Sequence, residues 1–584
     1  MGALSACAAL AHCPEARPEA RLRRPLINDP ADDILHALMQ VIQPTPKPAT
    51  VNGRPFDSDP AARGTPCPQA GFSKSIFQWM AVLLCMGAWW LRMVDSDSPA
   101  RDFWTMRQYS SAMIARQLYY DMLPSVPEWK QEVLQGGRRW HAEPPIMEYL
   151  ASRIFRLQGR ESFWPFRLIT ASGWVLGGWF LFLILRRLLG APGALAGLAF
   201  FLFVPFGITT SVALHADPLM IMGLLASTWA ILRYCDHLTG RHLVFAGLLS
   251  GVGLVFKPGP VVFLMGTTFG LCLLAVTGWN RKIIGRSVIF AILTVLPSFL
   301  VNLWAVQRGL YQPGYQLSTY WSPHLLGTLY FWRGWLGRVI DVLTVPGLLL
   351  AVAGVFGVRT RLAWAVLAGW GGGYLLQSLL CSYTTPSHDY WHMHVIPMAA
   401  LCIGALVAAV FKQVGTQRFG AWGLWGTLLV AMVASGVVFR LRDIQHAKRR
   451  GHSAEYIRMA DAIGQATNHS ANTILLDYDY SAALKYFAWI DGKPWPWTGQ
   501  MVSEQALGND TGMSGELVWH TLELDAHERY ERFYADRQPE YFVICRLMGE
   551  LDLQPGLRSL LADCPLVVQT PRYAVYDLRH WHAP

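Results

Sequence analysis

The sequence is short of charge. Only 15% of its 584 residues are Asp, Glu, Lys or Arg, whereas soluble domains usually carry about 25%. That shortfall argues against a string of water-soluble domains and excludes a charge-rich disordered chain. Metal-type and redox-type cysteine spacing is missing too. The ten cysteines form no CxxC pair and no Cys/His cluster, so neither a zinc module nor a redox dithiol is written here, and ten thiols in so long a chain do not make a disulfide-stapled scaffold. No internal repeat of about 20–50 residues recurs. The net charge of +10 and pI of about 9.1 come with no nucleic-acid-binding module.

What the chain does have is apolar. Hydrophobic residues make up 53%, with 25 Trp, 21 Tyr and 27 Phe, and the mean hydropathy is +0.26. Such aromatic loading suits a bilayer protein with interfacial belts. Residues 1–73 are rich in Ala, Pro and Arg and read as a disordered cytoplasmic leader without the apolar run of a cleavable signal peptide. From Ile76 onward, apolar stretches near the length that crosses a ~30 Å hydrocarbon core recur. They fall at about 76–93, 164–185, 191–206, 217–232, 243–256, 260–278, 287–305, 339–357, 362–380, 392–411 and 420–438, which predicts about 11 transmembrane helices.

With a cytoplasmic N-terminus, the five short cytoplasmic loops hold eleven Lys and Arg, and the three short external loops hold only Lys257. That asymmetry follows the positive-inside rule. It leaves three large pieces outside: a first loop at about 94–163, a second at about 306–338, and a tail from about 440. The cluster Arg440, Arg442, Lys448, Arg449 and Arg450 breaks the rule locally, which long translocated domains tolerate. The expected divisions are therefore 1–73, a transmembrane domain 74–440, and an extracytoplasmic domain 441–584.

The tail reads as a small α/β domain. Strand signals stand at 472–477 (NTILLD), 541–545 (YFVIC), 566–569 and 573–576, between helical stretches at 453–467, 481–490 and 555–561. Strands alternating with helices suggest a sheet covered by helices. Cys545 and Cys564 share this tail and could pair outside the cell. The fold expected overall is mainly α: a polytopic helical membrane protein with interfacial helices in its first external loop and a small C-terminal α/β domain.

The chemistry concentrates in the first loop. In Asp102-Phe-Trp-Thr-Met-Arg107-Gln108-Tyr109, followed by Ala112, Ala115 and Leu118 at helical spacing, Asp102 stands at or near a helix start. It reads either as a cap or as a catalytic acid. Asp95-Ser96-Asp97 is a competing acidic pair. Further on, Trp140-His141-Ala142-Glu143-Pro144-Pro145 stops one element and opens another. There, Glu143 and Glu148 read either as solvated charges or as acids held near a membrane surface.

The order of one span, a long external loop with an acid before an Arg-Gln helix, a Pro-Pro helix and many further spans resembles the GT-C superfamily of integral-membrane glycosyltransferases. Within it, the likeness is to bacterial relatives of protein O-mannosyltransferases and lipid A aminoarabinose transferases. DFWTMRQYSSAMIAR and EPPIMEYLASRIFRLQG carry it, over about residues 75–410 and more loosely into the tail. The resemblance implies that Asp102 is the catalytic acid and Arg107 a phosphate contact. Many relatives have Lys before the Pro pair, where this chain has Glu143; Arg138, Arg139 or His141 are alternative sources of positive charge. It also picks out Asp217 in His215-Ala216-Asp217-Pro218, Lys257 before Pro258, and His388 and Asp389 in Ser387-His388-Asp389-Tyr390. Read without the resemblance, these are a helix cap, a snorkelling Lys and an aromatic anchor.

The implied activity is transfer of a hexose or pentose from a polyprenyl-phosphate donor to a lipid, glycan or protein acceptor at the outer face of a bacterial inner membrane. It would run by inverting single displacement with Asp102 as base, Arg107, Lys257 and His388 steadying the leaving phosphate. No cofactor is certain, and a divalent cation serves some relatives. A secondary transporter and a non-enzymatic envelope scaffold are the competing classes. The first is opposed by acids that sit at span ends rather than mid-membrane, and the second by the retained acid/Arg-Gln/Pro-Pro set.

Overall fold

The computed structural model describes residues 74–100, 103–136, 143–307, 321–414, 419–449, 452–506 and 524–579. All lie within the unit Thr65–Pro584; the expected leader, 1–73, falls outside them. The first helix, α1 (Lys74–Met93), leads into the loop helices α2 (Thr105–Tyr120), α3 (Glu128–Gly136) and α4 (Ile146–Gln158). Next come α5 (Trp164–Leu189), α6 (Ala191–Phe203), α7 (Pro205–Val212), α8 (Asp217–His237), α9 (Gly240–Phe256), α10 (Pro258–Thr277) and α11 (Lys282–Gln307). The membrane part closes with α12 (Leu329–Leu343), α13 (Val345–Val355), α14 (Arg361–Leu380), α15 (Val395–Val414) and α16 (Phe419–Arg449).

Each of the eleven expected stretches lies on a helix or a bent pair. By length and apolar composition, however, six of the described helices qualify to cross a membrane, or up to eight if each bent pair counts as one span. The pairs are α6–α7, bent by 55°, and α12–α13, bent by 96°. The stretches at 243–256 and 260–278 fall on shorter apolar helices, and the one at 362–380 on a helix diluted by Gly369, Gly371, Gly372 and Gly373.

The bends have local causes. Pro205 has no N–H to donate, and a broken helix in an apolar setting leaves carbonyls that must find other donors. Trp174 and Arg92 supply them: the Trp174 indole N–H donates to the Phe201 carbonyl at 3.3 Å, and Arg92, buried at the end of α1, donates from Nη2 to the Leu202 carbonyl at 2.7 Å and from Nε to Ser211 Oγ at 2.6 Å. At the second bend Thr344 adopts φ 65° and its Oγ1 accepts from the Gly347 N–H. Arg440 of α16 is buried rather than a loop charge; it ties that helix to the Val94 carbonyl at 3.0 Å and pairs within the helix with Asp443 at 2.8 Å. Where α8 crosses α9 the backbones touch: a Cβ added to Gly223 would lie 2.5 Å from the Gly253 Cα, the small-residue packing that lets apolar helices approach closely.

The tail contains α17 (His452–Ala466), β1 (Thr473–Leu476), α18 (Ala482–Ala488), β2 (Gly492–Pro494), α19 (Thr498–Ala506), α20 (Ala526–Phe533), β3 (Tyr541–Cys545), α21 (Glu550–Leu553), α22 (Pro555–Ala562), β4 (Leu566–Gln569) and β5 (Tyr573–Asp577). The sheet order is β2-β1-β3-β5-β4. β1 runs parallel to β2 and β3, and β5 antiparallel to β3 and β4. Alternation along β3 sends Phe542 and Ile544 into one core and Tyr541, Val543 and Cys545 into the other. Cys564 packs in the first core and Cys545 in the second, so the sheet stands between them and both are free thiols.

The tail sits on the first loop. Tyr109, Ala112, Ala115 and Tyr119 of α2 pack against Met147, Ala151 and Phe155 of α4 and against Ala482, Ala483 and Tyr486 of α18. Small residues at 112, 115, 482 and 483 let the helices meet. Arg116 clamps the joint. Its Nε donates to Glu161 at 2.7 Å, its Nη1 donates to the Tyr486 carbonyl at 2.7 Å, and its guanidinium lies over the rings of Tyr486 and Trp489.

Candidate active site

The start of α2 is held against segments far away in sequence. Trp104 turns the chain into the helix at φ 46°. Its indole N–H donates to Asp389 Oδ1 at 2.6 Å, and its ring stacks on His388 at 4.5 Å and meets Tyr390 edge-on at 5.0 Å. Gln108 accepts from the Leu214 N–H at 3.0 Å and donates back to the Phe103 carbonyl. Arg167, buried in the first turn of α5, donates to the carbonyls of Ser96 and Ser98 at 2.5 Å, Val212 at 3.1 Å and Pro99 at 3.3 Å. It thereby pins the strand of chain that leads toward Asp102. Asp102 itself lies outside the described residues, as do Arg138, Arg139 and His141. Of the competing acids, Asp97 is otherwise engaged: its Oδ1 accepts from the Phe163 N–H at 2.9 Å at the start of α5.

Around that anchor the expected charges converge. Arg107 Nη2 donates to both oxygens of Glu143, each at 2.8 Å, and its guanidinium lies 4.8 Å from the Tyr390 ring centre. Lys257 stands between α9 and α10, outside helical geometry at φ −157°. It forms an ion pair with Asp217 Oδ1, lies 3.6 Å from Glu143 Oε1, and faces the rings of Tyr390 and Trp391. The other Asp217 oxygen is 2.6 Å from His215 Nδ1. The result is one chain of groups, Arg107–Glu143–Lys257–Asp217–His215, drawn from the first loop and from the ends of α8 and α9. Among the described residues, His215 Nε2 has no hydrogen-bond partner, and its ring lies against Phe103.

Electrostatics sort these groups. Burial works against the Arg107 charge, but Glu143, helped by Tyr390 and Asp217, outweighs it and holds the guanidinium protonated well above its ordinary range. His388 goes the other way: burial, then repulsion from Arg107 and Lys257, lowers it to about 3. It therefore presents a neutral ring, bonded through Nδ1 to Ser387 Oγ at 2.7 Å, where the sequence suggested a cation for a phosphate. Asp389 is raised by burial, against the bond from Trp104. Glu148 of α4 is buried beside Ser111 and pushed up to about 7. Among the described residues no three His, Cys, Asp or Glu side chains gather as a metal site.

Sequence reasoning brought Arg107, Glu143, Asp217, Lys257, His388 and Asp389 to one place. It passed over Arg167 and Trp104. A cation in the first turn of an apolar span is costly, and that was a readable signal for Arg167. Nothing local marks Trp104 as the partner of Asp389.

Comparison with known proteins bears on the fold that holds this cluster. The family model for dolichyl-phosphate-mannose-protein mannosyltransferase matches residues 142–304. No curated protein sequence matches. ArnT from Cupriavidus metallidurans in the apo state superposes with TM-score 0.54 at 13% identity, over 86% of this chain and 98% of that one. The same protein bound to undecaprenyl phosphate gives TM-score 0.53 at 14% identity, over 87% and 99%. The chain has the fold of ArnT. In that fold the cluster described above stands where the first loop meets the ends of α8 and α9, and the tail domain covers α2 from the other side.

Proposed function

We propose that the chain is a GT-C glycosyltransferase that moves a hexose or pentose from a polyprenyl-phosphate donor to an envelope acceptor, a lipid, glycan or protein. The observation that carries the reading is the convergence of Arg107 and Lys257 on one point beside α2. The match to the mannosyltransferase model over 142–304 and the undecaprenyl phosphate in the ArnT structure support a lipid-phosphate donor. The eleven-to-one split of basic residues supports a site on the non-cytoplasmic face of a bacterial inner membrane, with the leader (1–73) inside and the domain 441–584 outside.

In this reading Arg107 offers its planar fork to phosphate oxygens and Lys257 a point charge. Asp217 and His215 fix Lys257, while the neutral ring of His388 and the carboxylate of Asp389 fix Trp104 and with it the start of α2. The acceptor hydroxyl attacks the anomeric carbon as the bond from that carbon to the phosphate oxygen breaks. Asp102 takes the hydroxyl proton, and polyprenyl phosphate departs as an anion, with inversion at the sugar. A positioned general base typically contributes about 10²–10⁴-fold.

The test is transfer of radiolabelled sugar from synthetic polyprenyl-phosphate sugars by the purified full chain in nanodiscs. Asp102→Asn is expected to lower turnover by at least about 10²-fold while the thermal unfolding midpoint stays in place. Turnover near that of the unmodified chain would remove Asp102 from the base role.

A further inference from the structure

Both strong cations of the cluster are already paired. Arg107 and Lys257 face two carboxylates, Glu143 and Asp217, and His388 is uncharged. A phosphate arriving here meets Arg107 and Lys257 beside carboxylates, and like charges set side by side are strongly disfavoured in a buried site. One carboxylate has to give way.

The two differ in how firmly they are held. Asp217 sits in the first turn of α8, is 1% exposed, and is engaged on both oxygens by Lys257 and His215. Glu143 belongs to no helix, precedes the rigid Pro144-Pro145 step, and its side chain is 17% exposed. Both of its oxygens accept from the single Nη2 of Arg107, and Oε1 also faces Lys257. A carboxylate so placed presents two oxygens to a guanidinium as a phosphate would.

Resting on the proposed phosphate site, we infer that Glu143 is a displaceable counter-anion. Its carboxylate fills the place between Arg107 and Lys257 that a phosphate monoester or diester takes, and the ligand enters by driving it out. The chain's departure from the Lys-Pro-Pro pattern then acquires a physical meaning. Where a Lys adds attraction for the anion, Glu143 makes binding a competition, so that empty cations are never left buried and the phosphate is held less tightly than the cations alone would allow.

The experiment is anion binding to the full chain in nanodiscs, independent of sugar and acceptor. One arm varies the mole fraction of undecaprenyl phosphate in the disc, and the other titrates inorganic phosphate. Glu143→Gln keeps the size of the side chain and removes its charge. It is expected to tighten binding at least about tenfold, equivalent to about 1.4 kcal/mol, and Glu143→Lys to tighten it further. Arg107→Gln is expected to weaken binding by a similar factor. Tightening in both arms assigns the effect to the phosphate group alone, and tightening confined to the first arm assigns it to a lipid headgroup. Unchanged or weaker binding by a folded Glu143→Gln would overturn the inference and make Glu143 an anchor of Arg107 or a ligand contact. If neither the unmodified chain nor Glu143→Gln binds in either arm, or if Arg107→Gln binds as the unmodified chain does, the phosphate reading itself fails.

Discussion

Replacing Arg116 by Met should loosen the tail from the first loop. Arg116 is 6% exposed and makes four contacts in one place: Glu161 at 2.7 Å, the Tyr486 carbonyl at 2.7 Å, and the faces of Tyr486 and Trp489 at 3.7 and 3.9 Å. A hydrogen bond to a charged group contributes about 1.5–3 kcal/mol and a desolvated cation–π contact about 2 kcal/mol, but the terms share one guanidinium and do not add. The better guide is removal of one partner of a buried pair, about 3–5 kcal/mol, because Glu161 is left 15% exposed with its charge uncompensated by Arg116. At 1.4 kcal/mol per decade that is about 10²–10⁴-fold in a local opening constant. Native-state hydrogen exchange of the amides in Ala482–Ala488 reads it directly. Arg116→Lys, which keeps the charge and loses the fork, should fall between. Adding Glu161→Gln to Arg116→Met should restore part of the protection, since the stranded carboxylate is then gone. Unchanged exchange in 482–488 for Arg116→Met would refute the clamp.

Two other perturbations follow from buried charges. Lys257→Met leaves the Asp217 carboxylate, 1% exposed, without its ion-pair partner, and should lower stability by about 3–5 kcal/mol. The double variant Asp217→Asn/Lys257→Met should recover part of that loss in thermal unfolding, and a double variant no more stable than the single one would count against the pair. Glu148 titrates in the opposite sense to a salt-bridged acid. Burial raises its carboxyl from 4.5 to about 7, so between those values the folded chain binds more protons than the unfolded one, and stability falls as pH rises. The full effect is on the order of 3 kcal/mol above pH 7. Glu148→Gln should therefore be the more stable form at pH 8, with the difference vanishing near pH 4; a difference independent of pH would place the shift elsewhere.

The parts of the fold that were legible are those where local chemistry decides. Apolar runs of span length became helices because backbone groups away from water must pair within their own segment. The strands at 473–476 and 541–545 were legible as buried runs, four and five residues long with every residue buried. β2 was not: Gly492-Lys493-Pro494 has no strand propensity, and it pairs with β1 at the sheet edge, where Pro is tolerated, with Gly492 opposite Thr473. The stretches at 191–206 and 339–357 run straight through Pro205 and Pro346, and a Pro within an apolar run is the usual sign of a break. At the site, the residue types were readable and their pairings were not. Trp104 and Asp389 are 285 positions apart, and the bond between them exists only after the helices have packed.

Helix α2 is where these levels meet. Arg107 and Arg116 are nine residues apart, about two and a half turns at 3.6 residues per turn, and so project from opposite sides of the helix. One faces Glu143 and the ends of the membrane helices, and the other faces Glu161 and the tail. Between them, Ala112 and Ala115 are buried against α4 and α18, so the helix is gripped along its length and behaves as a strut about 13 Å long between the two arginines. Its first turn is fixed by Trp104 and Gln108 and its last by Arg116 and Tyr119. A rigid strut passes a displacement at one end to the other. The placement of the Arg107 cation is therefore set jointly by the membrane helices and by the tail domain docked some two turns away, and a shift of the tail on α18 moves the cation that the proposed phosphate must meet.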